Sequence, residues 1–419
     1  MKDNWFISEV DEIALNFLDF RGKTPLKLGM NWGNGSIRAL SANNVEMGKI
    51  NYDKECYFGS ENLYQKWMNK GDCEKGDIIL TMEAPLGNVA QIPDNNKYIL
   101  SQRTILIKID KKNVNNDFIF HLFCADKFQR ELILNSSGST VTGIQQKKLV
   151  KIKVSYPPLP QQRKIAQILT TCDAVIEKTE AAISKYQAMK QSMMHDLFTR
   201  GIDVNTSKLR PKQDDAPELY KESELGWIPK EWEVEKLGDI GDAKMCKRIF
   251  SYQTKNEGEI PFYKIGTFGK KPDAFISKEL YKDYKSKFSF PIAGSILISA
   301  SGTIGRLVVY NGEDAYFQDS NIVWLENNLK LVSNEYLKNI FPLVKFKTEG
   351  GTIQRLYNNI LKSGVFPCPK NSLEQELIVE KLYIIDNKLQ TEQSSLSKYQ
   401  QLKTGLMQDL LSGRVEVEV

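Results

Sequence analysis

Histidine is almost missing from this chain of 419 residues: only His121 and His195 occur. Two isolated imidazoles exclude a Ser/His/Asp hydrolytic arrangement and leave too few ligands for a histidine-rich metal centre. The six cysteines, Cys56, Cys73, Cys124, Cys172, Cys246 and Cys368, form no CxxC pair, so neither a zinc site nor a disulfide framework is expected. No apolar run approaches the ~20 residues that span a bilayer, and MKDNWFISEVDEIA has no signal-peptide core; a cytoplasmic protein without a membrane partner is expected. No G-x-x-x-x-G-K-[ST] loop is present, because Gly22-Lys23-Thr24 lacks the upstream glycine, and no G-x-G-x-x-G follows a strand. The Asn or Asp followed by Pro-Pro-Tyr or Pro-Pro-Phe with which amino-methyltransferases grip a target adenine is also absent, since SYPPLP at Ser155 to Pro160 has the wrong order. These absences predict a chain that performs no chemistry itself and binds no metal.

Aromatic content of 10% and charged content of 26% belong to a folded protein with length for two or three domains. Net charge is only +5, too small to mark a nucleic-acid binder by bulk charge. The distribution is more telling: Lys147, Lys148, Lys151 and Lys153 form one acid-free basic run, and Lys244, Lys247, Arg248 and Lys255 another. An ordinary solvated face is the plain alternative for either run.

The tetrapeptide SKYQ occurs at Ser184 to Gln187 and again at Ser397 to Gln400, an offset of 397 − 184 = 213. The same offset carries Gln162 onto Gln375, Leu169 onto Leu382, Asp173 onto Asp386, Lys190 onto Lys403 and Leu410 from Leu197, so the chain is two diverged copies of one unit. Around each SKYQ runs a heptad-like apolar stripe: Ile165, Leu169, Cys172, Ile176, Thr179, Ile183, Tyr186, Met193 and Leu197, broken once by Lys190, and Ile378, Leu382, Ile385, Leu389, Leu396, Tyr399, Leu406 and Leu410. Each helix is expected to be roughly 55 Å long and cannot bury its stripe alone, so an antiparallel coiled coil of the two is expected, with a pseudo-two-fold internal repeat and both tyrosines in the seam. The expected layout is a globular part over 1–159, a helix over 160–201, an irregular Pro- and Asp-rich linker over 202–229, a second globular part over 230–371, a helix over 372–413 and a tail over 414–419.

The globular parts read as α/β (α+β). GDIILTMEAPLGNVAQI and GSILISASGTIGRLVVY are matching hairpins, with Gly76 aligned to Gly294 and Gly87 to Gly305. Before the last strand of each part lies a Gly-rich polar loop, SSGSTVTGIQQKK and EGGTIQR. Backbone amides there can approach a phosphate, and long polar side chains can reach a base edge. In the first loop the candidate DNA contacts are Ser139, Thr140, Gln145, Lys147 and Lys148; in the second, Thr352, Gln354 and Arg355. Beside the hairpins, Arg38, Asn43 and Asn44 resemble Lys264 and Lys270 in placement, Gln102, Arg103 and Thr104 correspond roughly to Asp319, Ser320 and Asn321, and Ser301, Thr303, Lys247 and Arg248 complete the polar set. Any one of these is as readily a loop hydrogen bond. Met194, Phe198, Met407 and Leu411, outside the inferred seam, are candidate partner-docking residues.

DFRGKTP at Asp19 to Pro25, SSGSTVTGI ahead of PPLPQQRKIAQIL, the linker ending ELGWIPKEWEVEKLGDI and the repeated helix together resemble the specificity subunit of type I restriction-modification enzymes. The N-terminal WFISEVDEIA departs from the more typical WEVEKLGDI of the second half. The resemblance implies two target-recognition domains, each binding one half of a bipartite, asymmetric site on double-stranded DNA. It implies further that the helices dock two modification (methyltransferase) subunits, with restriction/translocase subunits joining the assembly. S-adenosylmethionine and ATP with Mg would be bound by those partners, and no cofactor by this chain. A single-chain DNA-modifying enzyme, or a coiled-coil structural adaptor that binds no DNA, are the alternatives. The first would need a cofactor loop or acidic metal cluster, the second near-identical halves.

Overall fold

The computed structural model describes residues 4–101, 103–138, 142–346, 355–356 and 358–418. The chain forms two compact units, Met1–Ala181 with Gln393–Val419, and Ala182–Glu392.

In the first unit a four-stranded antiparallel sheet contains β1 (Ala14–Asp19), β2 (Ile78–Met82), β3 (Leu86–Gln91) and β4 (Thr104–Ile109), in the order β1-β4-β2-β3. The second unit repeats it with β5 (Gly241–Lys244), β6 (Ile296–Ser299), β7 (Leu307–Val309) and β8 (Ile322–Asn327), in the order β5-β8-β6-β7. The hairpins expected from sequence are therefore β2-β3 and β6-β7. A smaller mixed sheet accompanies each: Ile37–Leu40 between Phe58–Gly59 and Tyr98–Leu100, and Ile260–Tyr263 between Phe275–Ile276 and Tyr316–Phe317.

Both faces of each large sheet are covered. Along β2, Ile78 and Leu80 enter one core while Ile79 enters the other; in β6, Ile296 and Ile298 face one core and Leu297 the other. This explains why these strands read as continuous apolar runs and not as alternating ones. The helix after the sheet is capped at equivalent positions, by Asn115 accepting from the Phe118 N–H at 2.9 Å and by Ser333 accepting from Tyr336 at 3.1 Å.

The long helices are α1 (Leu159–Thr199) and α2 (Ser372–Leu410). In the first unit Ile165, Ala166 and Leu169 of α1 share a core with Leu410 and Leu411 of the C-terminal segment, and Asp173 pairs with Lys403. In the second unit Leu197 and Phe198 share a core with Ile378 and Leu382, and Lys190 meets Asp386 at 2.5 Å. Within each unit the helical segments therefore run antiparallel. Lys190, a break in the apolar stripe by sequence, is explained by its partner: by the repeat, Lys190–Asp386 and Lys403–Asp173 are the same ion pair built twice. Tyr399 departs from the expected seam position and is 38% exposed.

Residues 202–229 are less irregular than their composition implies. They hold two short hairpins, Ile202–Asp203 with Lys208–Leu209 and Tyr220–Ser223 with Gly226–Pro229. Arg210, between them, is buried against Glu374 at the start of α2, donating to its Oε2 at 3.0 Å and to Glu231 at 2.9 Å. Gly201 turns the chain into this site with φ +66°, where a Cβ would lie 2.3 Å from a Glu374 oxygen and 2.5 Å from the Trp232 ring. Only glycine fits there.

Candidate nucleic-acid interface

Three segments converge at the end of the large sheet in each unit. In the first, the Met82 N–H donates to the Arg103 carbonyl at 2.7 Å and the Met82 carbonyl accepts from Ile144 at 3.0 Å. In the second, Ala300 donates to the Asn321 carbonyl at 2.8 Å and accepts from Leu356 at 2.8 Å. The hairpin end, the entry to the central strand and the tail of the Gly-rich loop are thus tied by the same two backbone bonds. The register corrects the rough correspondence read from sequence: 300 − 82 and 321 − 103 are both 218, so Arg103 stands where Asn321 stands.

On this shared frame the polar side chains differ. In the first unit Arg103 adopts φ +70° and its Nε lies 3.4 Å from Glu83. The Gly-rich loop is pinched by two bonds between Ser137 and Gly143, at 2.9 and 3.0 Å, and Gly143 lies against Glu83, where a Cβ would fall 3.2 Å from the Met82 carbonyl. Asn43, exposed, and Arg103 line an open polar groove of about 580 Å³ with Glu46, Lys54 and Asn88. In the second unit Ser301 Oγ donates to Asn321 Oδ1 at 2.8 Å, Arg355 donates to the Ser320 carbonyl at 3.2 Å, and Arg248 pairs with Asp319 at 2.8 Å. Ser320 has φ +60°. A non-glycine residue in the left-handed region costs on the order of 1 kcal/mol, and such residues cluster at functional sites; here one stands at the same corner of both sheets.

The structure gathers Lys247, Arg248, Ser301, Ser320, Asn321 and Arg355 into or beside one patch. Thr303 is exposed in the neighbouring hairpin turn, and Gln145, Lys147 and Lys148 are exposed on the turn following the first Gly-rich loop. Gln102, Ser139, Thr140, Thr352 and Gln354 lie outside the described residues.

Two further candidates are corrected. Asn44 is buried, its Oδ1 accepting from the Ser41 N–H and hydroxyl and its Nδ2 donating to the Lys54 and Glu55 carbonyls at 3.4 Å each; its amide holds a loop and faces no ligand. Arg38 is spent on the Tyr52 carbonyl at 3.2 Å and on the Tyr52 and Phe58 rings. Lys264 pairs with Asp273 at 2.9 Å, and exposed Lys270 borders a separate cavity of about 220 Å³. Glu83, missed by sequence reading, is the equivalent of Ser301 (83 + 218 = 301), and that offset was the available signal.

The docking candidates are corrected most strongly. Phe198 is buried and packs edge-on against Tyr336 at 5.6 Å, and Leu411 is buried in the first core. Met194 and Met407 pack against the same two cores. These residues fasten the helices to the domain of their own unit, because a helix that carries a domain needs a second apolar face beyond its seam. Exposed apolar positions on the helices include Met189 and Leu402, which the repeat makes equivalent (402 − 189 = 213).

A model of the family described as type I restriction modification DNA specificity domain matches residues 2–185 and 229–400, most of both repeats. The chain belongs to that family. It is a specificity subunit, with the DNA-recognition domains and the non-catalytic role that this name denotes. A Haemophilus influenzae protein named as a type I restriction enzyme specificity subunit is 38% identical over 317 residues, 75% of either chain. The MjaVIII specificity subunit of Methanocaldococcus jannaschii is 25% identical over 82% of this chain and 80% of its own. Among solved structures, the type I S subunit from M. genitalium shares the fold with a TM-score of 0.61 at 16% identity, covering 100% of this chain and 98% of that one. No helix among the described residues of this specificity subunit is long and apolar enough to cross a membrane.

Proposed function

We propose that each domain of this specificity subunit reads one half of a bipartite, asymmetric site on double-stranded DNA through its sheet-end junction. The observation that carries this reading is the junction itself: one backbone frame, built twice, bearing Glu83 and Arg103 in one copy and Ser301, Asn321 and Arg355 in the other. Arginine suits guanine and asparagine suits adenine in the major groove, so unlike heads on like frames select unlike half-sites. Lys147, Lys148 and Lys247 supply phosphate contacts that position the duplex without reading it. The long helices set the spacing between half-sites and, through exposed positions such as Met189 and Leu402, dock two modification subunits. Restriction/translocase subunits join that assembly, and S-adenosylmethionine and ATP with Mg belong to these partners.

Methylome sequencing of a host carrying this chain with its modification subunit tests the reading. Two short unlike motifs separated by a gap of constant length are expected. A continuous motif, or none, would overturn it.

A further inference from the structure

The strand registers locate an equivalence that sequence alignment hides. Leu18 of β1 pairs with Leu106, and Lys244 of β5 pairs with Trp324; Leu106 and Trp324 are themselves equivalent, since 324 − 106 = 218. Eight residues beyond Leu18 and Lys244 stand Leu26 and Tyr252. These are the two most exposed large apolar side chains among the described residues, at 79% and 82%. Each sits in a single 3-10 turn, Leu26–Leu28 or Ser251–Gln253, while Phe20 and Cys246, two residues beyond the same register point, are buried. The root of each loop is anchored and its tip stands in solvent.

Both tips are held in shape. Lys27 Nζ donates to the Gly22 carbonyl at 2.6 Å. In the second domain Phe250, 49% exposed, stacks on Tyr252 with centroids 5.7 Å apart and planes within 8°, while Gln253 accepts from the Phe250 N–H at 2.9 Å. Both loops leave the sheet at the end that carries the recognition junction, because antiparallel β1 ends where β4 begins. In the second domain the contact is direct: the Ser320 N–H donates to Met245 Sδ at 3.3 Å and Arg248 pairs with Asp319. Charge favours one occupant. Residues 20–45 and 243–256 contain no Asp or Glu; Arg21 pairs with Asp19 and Arg248 with Asp319, while Lys23 and Lys27 flank Leu26, and Lys247 and Lys255 flank Tyr252. An isolated exposed apolar residue is unremarkable. The same position in two diverged copies, held rigid, basic-flanked and beside the junction, is not.

We propose that these tips are apolar wedges that enter a groove of duplex DNA beside each half-site, Leu26 in one domain and the Phe250–Tyr252 stack in the other, each loosening a base step so that the duplex fits the junction. The proposal rests on the DNA reading given above. It is tested with the full chain bound to its modification subunits, on target duplex carrying 2-aminopurine at successive positions through both half-sites and their flanks. Wild type is expected to raise the fluorescence at one step beside each half. Leu26→Ala should abolish the rise at one half only and Phe250→Ala/Tyr252→Ala at the other only, each weakening binding about tenfold, with an unchanged salt slope and an unchanged thermal midpoint. If the wild type recognises its bipartite target but both variants bind and fluoresce as wild type, the wedge fails and the DNA reading stands. Variants that keep DNA affinity as isolated chains but shed the modification subunits on size exclusion would place the tips against a protein and also overturn the wedge. A wild type that recognises no bipartite site removes the premise of both.

Discussion

At the scale of the residue, the most exposed of the proposed readers is Arg103, held in the left-handed region and beside Glu83. Arg103→Ala is expected to relax one position of the first half-site, costing about 1–3 kcal/mol of discrimination there and leaving the second half intact; methylome sequencing of the variant shows which half changes. Arg355→Ala and Lys147→Ala should lower affinity, and a phosphate contact will show as a salt slope shallower by about one. His121 is a contrasting residue. It is buried, its Nε2 lies 3.1 Å from the Thr170 hydroxyl and its Nδ1 finds no hydrogen-bond partner. Burial, with the Lys403 charge adding to it, pushes its pKa down from 6.5 to about 3; Asp173, 3.8 Å away, does not offset this because it is neutralised by Lys403. The unfolded chain therefore binds a proton below pH ~6.5 that the folded chain refuses, and stability falls as pH drops from there towards 3. Between pH 7 and 5 the loss is on the order of 2 kcal/mol. His121→Leu should flatten that part of the profile in urea titrations.

At the scale of the element, two glutamines fasten helix to domain. Gln162 accepts from the Asn115 N–H at 2.8 Å and donates to the Pro157 carbonyl at 2.8 Å; Gln375 donates to the Leu331 and Pro369 carbonyls at 2.7 and 3.0 Å. The repeat offset relates the two (375 − 162 = 213). The PPLPQQRKI signature is thus a clamp at the start of the helix and no ligand site. Gln162→Leu strands a buried donor and a buried acceptor and should cost about 2 kcal/mol, read as a lower thermal midpoint. Phe198→Asp puts an unpaired charge into the core beside Tyr336 and should abolish cooperative unfolding of the second unit in calorimetry. Met189→Asp and Leu402→Asp, at exposed positions, should spare stability and weaken co-elution of the modification subunits.

At the scale of the whole molecule, the proposed reading makes specificity modular. Replacing residues 230–371 with the second domain of another specificity subunit is expected to change one half of the modified motif and leave the other half and the gap as they were. Inserting one helical turn near Thr179 should alter the gap and spare both halves, since the junctions lie on the sheets and not on the helices. A swap that changed both halves would remove the modular reading.

The duplication, both long helices, the paired hairpins and the absence of catalytic motifs were legible without coordinates, because periodicity and repeat spacing are linear properties of a chain. What the linear pattern left open was which polar and apolar residues are spent internally. Asn44 and Arg38 have the side chains of DNA readers but satisfy nearby carbonyls and rings. Phe198 and Leu411 look like spare helix surface until the domain core closes over them. The equivalence of Leu26 with Tyr252 appears only through strand register. Insertions shift the repeat offset from 213 in the helices to 218 in the hairpins, and only hydrogen bonding across the sheet decides which residues share a place.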